Sequence, residues 1–396
     1  MPVDLKQNPK MKQLPLPPDK SRWLIVIALC VVAGATLALY LWPRGLSTHS
    51  AWFWYCTLVT PFAFGLAGYI IRLRHYENKR DGILWWNHLH QKQYDEQIIL
   101  GQRAVGVLGM SYVTPIASNK LVVALLRGGT ALQTQYSLTH QSVLTTASLS
   151  PPLTIFLETG YQSRLESLLK HVVIQLNAEL LQFTGNLSVR LLHDGTLDNE
   201  HILDIWQKIF PASVAVHRVN IVKHNDGVMW IDEWLDRKDA SLVLSIEINL
   251  FLQPRNQQAE SVSALFALLL ASPSWLERQH TKPQIWIHRP VVVDRNDESV
   301  TDVACWGKMT PDSPWYLWRS QVNGDVLVNL LQSMDKQGYL KGKKGEMILD
   351  DVFGKPGTAV GNIMLICACV HATVSGLAQW LIADAKTIQM VIVRPA

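Results

Sequence analysis

Residues 241–252 read SLVLSIEINLFL, a run of twelve in which eight side chains are apolar and Glu247 alone is ionisable. So apolar a run marks a buried strand. Glu247 and Asn249 interrupt the run. A carboxylate in such a place is costly unless a cation or hydrogen-bond donors meet it. Glu247 is therefore expected either to pair with a neighbouring Arg or to face solvent at an edge, and it is a candidate functional group.

Working outward from this run, strand-like and helix-like segments alternate. Residues 153–157, 187–192, 215–222, 284–288, 291–293 and 389–394 read as strands. Residues 163–182 read as an amphipathic helix, with Leu165, Leu168, Leu169, Val172, Val173 and Leu176 on one face. Helices are also expected over 198–209, capped by Asp198 or Asn199, over 323–334, and over the apolar stretch 362–382. Residues 121–126 fit a strand or a short helix. Residues 259–270, AESVSALFALLL, read as a small-residue helix or a passage from helix to strand. The alternation predicts an α/β or α+β domain over residues 100–396. No repeat of fixed period is visible.

The N-terminal quarter is of another kind. Hydrophobic residues make up 48% of the chain and charged residues 17%, and the apolar excess concentrates in two places. Residues 23–42, WLIVIALCVVAGATLALYLW, and 51–71, AWFWYCTLVTPFAFGLAGYII, carry no charge. Each is long enough to cross a bilayer as a helix. They predict a transmembrane hairpin over 23–71, preceded by a disordered tail over 1–22. A polar juxtamembrane helix is expected over 72–99, bent near Asp81 and Gly82. Trp23 marks one interface, and Trp42, Trp52 and Trp54 the other. Arg22 before the first span, and Arg72, Arg74, Lys79 and Arg80 after the second, place both termini on the cytoplasmic side of a bacterial inner membrane.

Charge supports the division. Residues 1–80 hold ten Lys and Arg against three Asp and Glu, and the remaining 316 hold 26 against 29. The net charge of +4 therefore belongs to the anchor, where anionic lipid accounts for it. The rest is mildly acidic with no basic stripe, which argues against nucleic-acid binding. Five cysteines form no disulfide framework.

Motifs for chemistry are sparse. There is no G-x-S-x-G, no H-E-x-x-H and no Gly-Lys-Ser/Thr phosphate loop. Asp232 and Asp236 are four apart on an expected short helix and share a face, as paired carboxylates for acid–base work would. A solvated helix face is the plainer reading. Cys367 and His371 are likewise four apart, and can be a thiol with its base or two core side chains. No catalytic residue, metal site or cofactor is expected.

Two resemblances follow. The stretch 232–270, with Gln258-Ala259-Glu260-Ser261 leading into SALFALLLASP, resembles the passage in thiolase-like and ketoacyl-synthase folds where a small-residue element enters a central strand. The turn from Asp350 through Gly354, Gly357 and Gly361 resembles the glycine turn before a late core helix of that fold. Those enzymes use a nucleophilic Cys in the first half, and no cysteine lies between Cys56 and Cys305. If the fold is shared, the resemblance implies that the activity is lost. Layout, and the phrase WIDEWLD at 230–236, resemble the type VI secretion lipase adaptor proteins, which implies a protein cargo. On this reading the chain is a membrane-anchored, non-catalytic adaptor. The alternatives are a membrane-bound enzyme acting on acyl or lipid substrates with a degenerate thiolase-like fold, and a structural subunit of an envelope complex. Oligomeric state is not legible.

Overall fold

The computed structural model describes residues 11–43, 47–116, 118, 120–137, 141–150, 157–222, 224–250, 262–294 and 297–396. The strand expected at 153–157 and the start of the 259–270 element lie outside these residues, apart from Leu157. Two compact units divide the chain at residues 97 and 98.

In the first unit, Lys20–Leu41 is a helix of 22 residues, capped by Asp19, whose carboxylate accepts from the Ser21 N–H at 3.0 Å. At 1.5 Å per residue it is about 33 Å long, a bilayer core's thickness. The second apolar stretch is helical from Ala51, with a wide π turn over Tyr55–Val59. Pro61 follows it and has no N–H to close an ordinary turn. The helix then runs over Thr60–Gly101 without a break at Asp81 and Gly82. A single exposed glycine costs a helix only about 1 kcal/mol, too little to end one of this length. The two apolar helices touch through glycines: a Cβ on Gly34 would lie 2.1 Å from Pro61 Cγ, and one on Gly65 3.2 Å from Ile27 Cα. Trp23 packs on Tyr69 and Trp42 on Phe53, at 5.7 and 5.0 Å between centroids. Trp52 and Trp54 are exposed. Arg22 pairs with Asp19 and Arg80 with Asp81, whereas Arg72, Arg74 and Lys79 are exposed. Lys12 holds Asn87 through its backbone and lies 4.3 Å over the Trp86 ring.

The second unit is a mixed α/β fold. Its strands are β1 (Ala104–Val113), β2 (Gln133–Ser137), β3 (Ser142–Thr146), β4 (Leu187–Leu192), β5 (Val216–Val222), β6 (Leu242–Asn249), β7 (Ala264–Ala271), β8 (Ile285–His288), β9 (Val291–Val292), β10 (Trp315–Ser320), β11 (Lys343–Ile348), β12 (Ala378–Asp384) and β13 (Ile388–Pro395). β2 and β3 form a hairpin, and β9 pairs with β13. The others run in the order β11-β10-β12-β13-β8-β1-β7-β6-β4-β5.

That order contains a duplication. Numbered by appearance, the strands of the first half (β1, β4, β5, β6, β7) lie in the order 3-2-4-5-1, and so do those of the second half (β8, β10, β11, β12, β13). In both, the second strand is parallel to the third and fourth, and the fifth is antiparallel to the fourth and first. The halves join where β1 pairs antiparallel with β8, Ala104 opposite His288. An approximate twofold axis therefore relates them.

The core is layered accordingly. On β7 alternate residues serve different layers. Phe266, Leu268 and Leu270 join the inner cluster with the helix Val360–Ser375 and with Leu381, Val391 and Val393 of the second half. Leu265, Ala267 and Leu269 join the outer cluster with Leu165, Leu169 and Val172 of the helix Glu158–Gln175. The whole of β7 is 1% exposed or less. Of the two readings of 259–270, the helix throughout is corrected: a strand with two buried faces runs from Ala264. The apolar helix expected over 362–382 ends at Ser375, because Gly376 takes φ +68° and stops it. Residues beyond it turn back as β12. The helix is apolar enough to cross a membrane, but its most apolar window is 72% buried within the protein.

Candidate functional site

The functional candidate lies where the two related third crossovers meet. In the first half the chain leaves β5 through Asn225-Asp226-Gly227 and enters the short helix Trp230–Leu235. In the second it leaves β11 through Leu349–Phe353 and Gly354–Gly357, and enters the buried helix Val360–Ser375. Gly227 and Gly357 both have φ +58°, a left-handed conformation that side chains resist. Asn225 Nδ2 donates to the Gly357 carbonyl at 3.1 Å, tying one loop to the other.

Under this junction the inner face of β6 is polar. Ser245, Glu247 and Asn249 alternate there, all buried. Arg190, opposite Ser245 on β4, reaches across with Nη1 to Glu247 Oε1 at 3.1 Å and to Ser245 Oγ at 3.3 Å. Its Nη2 donates to Asp226 Oδ1. The guanidinium also lies 5.0 Å from the Trp230 ring centroid, and its Nε has no hydrogen-bond partner. Glu247 Oε2 accepts the Asn362 backbone N–H at 2.7 Å, so it caps the first turn of the buried helix. Asn362 in turn donates from Nδ2 to the Ser245 carbonyl at 3.0 Å. Gln389 closes the back of the loop, accepting from the Val228 N–H at 2.8 Å and donating to the Asp226 carbonyl at 3.0 Å.

The electrostatics are those of one cation between two carboxylates. Burial pushes the Glu247 carboxyl up to about 7, with Asp226 adding to the rise, while Arg190 and the Asn362 N–H pull it down. It can therefore hold or release a proton near neutrality. Asp226 is the accessible member, its side chain 38% exposed against 6% for Arg190 and none for Glu247. A reactant arriving from solvent meets Asp226 first.

The other candidates from sequence lie elsewhere. Asp232 and Asp236 do share a face, but both grip Arg289, which is 1% exposed. Arg289 Nη2 bonds Asp236 Oδ1 at 2.7 Å and reaches the Leu100 carbonyl at 3.4 Å. This is a buried tie between the start of the unit and the short helix. His371 donates from Nδ1 to Gln379 Oε1 at 2.7 Å and packs on Tyr316 and Trp318. Burial raises Cys367 and Cys369 far out of reach of thiolate formation at neutral pH. No group of three potential metal ligands occurs among the described residues. Arg190 and Asp226 were not singled out from sequence. The signal available was Arg190 itself, the one charge within LSVRLL at 187–192.

No protein-family model matches the chain, and no curated protein sequence does. Solved structures do. A ketosynthase domain of oxazolomycin synthesis from Streptomyces albus superposes with a TM-score of 0.52 over 74% of this chain and 96% of that one, at 11% identity. A β-ketoacyl synthase from Burkholderia phymatum gives 0.51 over 74% and 100%, also at 11%. A type II polyketide ketosynthase, solved with its acyl-carrier protein and bound to a hexaketide, gives 0.54 over 74% and 100% at 10%. The second unit has the thiolase-like ketosynthase fold. Two expectations are thereby corrected. The reading as a type VI secretion adaptor carrying a protein cargo is overturned, because the structures the chain superposes on are ketosynthases. The expectation of a non-enzyme is corrected likewise, to a fold shared with ketosynthases. The layout and the phrase WIDEWLD misled because WIDEWLD is the buried Asp232–Arg289–Asp236 tie and reports only packing.

Proposed function

We propose that this chain acts on acyl groups with a ketosynthase-like fold but without a thiol nucleophile. Asp226 is the group that meets the substrate, and Arg190 and Glu247 are positioning residues that hold it at the junction. The observation that carries this is the Arg190–Asp226–Glu247 set at the junction of the two related crossovers, half open to solvent through Asp226. The first half supplies a carboxylate there, and no cysteine occurs between Cys56 and Cys305. The fold supports an acyl substrate by analogy alone; one similar ketosynthase is bound to a hexaketide. We also propose that Lys20–Leu41 and the helix beginning at Ala51 anchor the protein in a bacterial inner membrane, with both termini cytoplasmic.

The test uses the full chain in neutral nanodiscs with acyl thioesters of short and long chain, reading release of free thiol. The expected result is turnover that falls about 100-fold or more in Asp226→Asn, the size of a lost acid–base group. Turnover equal in Asp226→Asn and the parent, or none with any acyl thioester, overturns the assignment. For the anchor, a periplasm-dependent phosphatase fused after Ala396 is expected to be inactive. An active fusion reverses the topology.

A further inference from the structure

A concave site lies at the seam between the two sheet halves. Ala104, which opens β1, pairs with His288, which closes β8, and a cavity of about 470 Å³ opens beside them. Its walls include Ile99, Arg103, Trp286, His288, Lys308 and Arg394, and no carboxylate is among its lining residues. The site is separate from Asp226 and Glu247. Glu247 is level with Phe266 and so with Tyr112 on β1. Ala104 lies eight residues back along that strand, about 26 Å at 3.3 Å per residue.

Three cations converge there, and among the described residues none of them has an acidic partner within an ion pair. Clustered like charges repel and favour a counter-ion. The cluster is also fixed in place. Arg394 Nη1 donates to the carbonyls of Gly307 and Lys308 at 3.1 and 2.9 Å. Lys308 has φ +51°, a conformation that a residue with a side chain adopts at a cost. Gly307 before it is pressed onto β13, where a Cβ would lie 2.6 Å from Ile392 Cγ1. His288 is 6% exposed, and its Nδ1 has no hydrogen-bond partner. Burial, with Arg394 and Lys308 nearby, holds its pKa down to about 4, so the ring is neutral and adds no charge to the cluster. Trp286 and Ile99 add apolar wall beside the charges.

The geometry points to a binding site for a phosphate-class anion that carries an apolar group, with Arg103, Lys308 and Arg394 as the charge partners and Trp286 and Ile99 against the apolar part. Arginine forks and a lysine point charge are suited to phosphate oxygens, and the volume is that of a small-molecule site. A lipid headgroup and a soluble phosphate ester share this chemistry.

The experiment is a calorimetric titration of the full chain with hexyl phosphate, in nanodiscs of phosphatidylcholine with and without phosphatidylglycerol. Saturable binding in the neutral discs is expected, competed by inorganic phosphate. Lys308→Gln and Arg103→Gln, both at exposed side chains, should each weaken it about tenfold, the effect of one charge-assisted contact. Lys386→Gln, at a remote exposed lysine, should leave it unchanged. A signal abolished by phosphatidylglycerol identifies a headgroup as the occupant, and one that persists identifies a soluble ester. Absence of saturable binding, or binding unchanged in both Lys308→Gln and Arg103→Gln, overturns the proposal.

Discussion

The two halves of the sheet share strand order and strand directions, yet they spend their third crossovers differently. In the second half the crossover ends in a helix of sixteen residues, twelve of them buried, which forms the middle of the molecule. In the first half it ends in a helix of six residues that begins only after Asp226-Gly227-Val228-Met229. The long helix is held from the other half: Glu247 caps its first turn, and a Cβ on Gly361 would lie 2.7 Å from the Gly227 carbonyl oxygen. The duplicated fold has kept one scaffold helix and converted the related segment into a polar junction. A pair of related loops can thus diverge to the point where one carries the packing and the other the charge.

The sharpest way to break this comparison is to remove the cation. Arg190→Met leaves Glu247 and Asp226 with no cation between them, and breaking a buried pair in this way costs about 3–5 kcal/mol. Urea denaturation of the full chain should show that loss, and a loss under 1 kcal/mol would mean that the junction contributes nothing to holding the halves together.

A smaller effect separates the two glycines. Gly227→Ala and Gly357→Ala both place a side chain at φ +58°, at a cost of about 1–2 kcal/mol each. At Gly227 the new Cβ also meets Gln389 Oε1 at 2.4 Å, whereas at Gly357 it meets Asn249 Oδ1 at 3.1 Å. Gly227→Ala should therefore lower the thermal midpoint more. The reverse order would place the tighter loop in the second half.

The smallest effect is a slope. Glu247 titrates higher in the folded protein, at about 7, than an ordinary glutamate does. For an acid whose pKa rises on folding, the protonated form is favoured by folding, so its contribution is fullest below the unfolded pKa. That contribution is lost as pH climbs through the folded value. The midpoint of the parent minus that of Glu247→Gln should fall between about pH 5 and about pH 8. A difference that grows with pH would show that Arg190 outweighs burial.

Much of the layering was legible in the residues. The run at 241–252 announced a buried strand because eight of its twelve residues are apolar, even though Ser245, Glu247 and Asn249 alternate with aliphatic residues in its middle. Arg as a partner for Glu247 was foreseeable from the cost of burying a carboxylate. What the sequence hid was long-range. Residues 264–271, ALFALLLA, carry only small and aliphatic residues and Phe, which suit a buried helix as well as a buried strand. The helix at 360–375 runs into β12 through Ser375-Gly376-Leu377, a single glycine within an apolar stretch. The junction itself draws on residues 190, 226, 247 and 362, which no local pattern connects. The duplication was invisible because it is a repeat of strand order and not of residues.

β7 has a consequence in time. It lies between β1 and β6, is bonded on both edges, and has both faces under apolar layers. No local opening frees its amides, because the helices on one side and the central helix on the other would have to leave together. In deuterated buffer these amides should be the last to exchange, at the rate at which the whole unit unfolds. They would serve as an internal clock for global opening, against which the exchange of the loop at Asp226 can be timed.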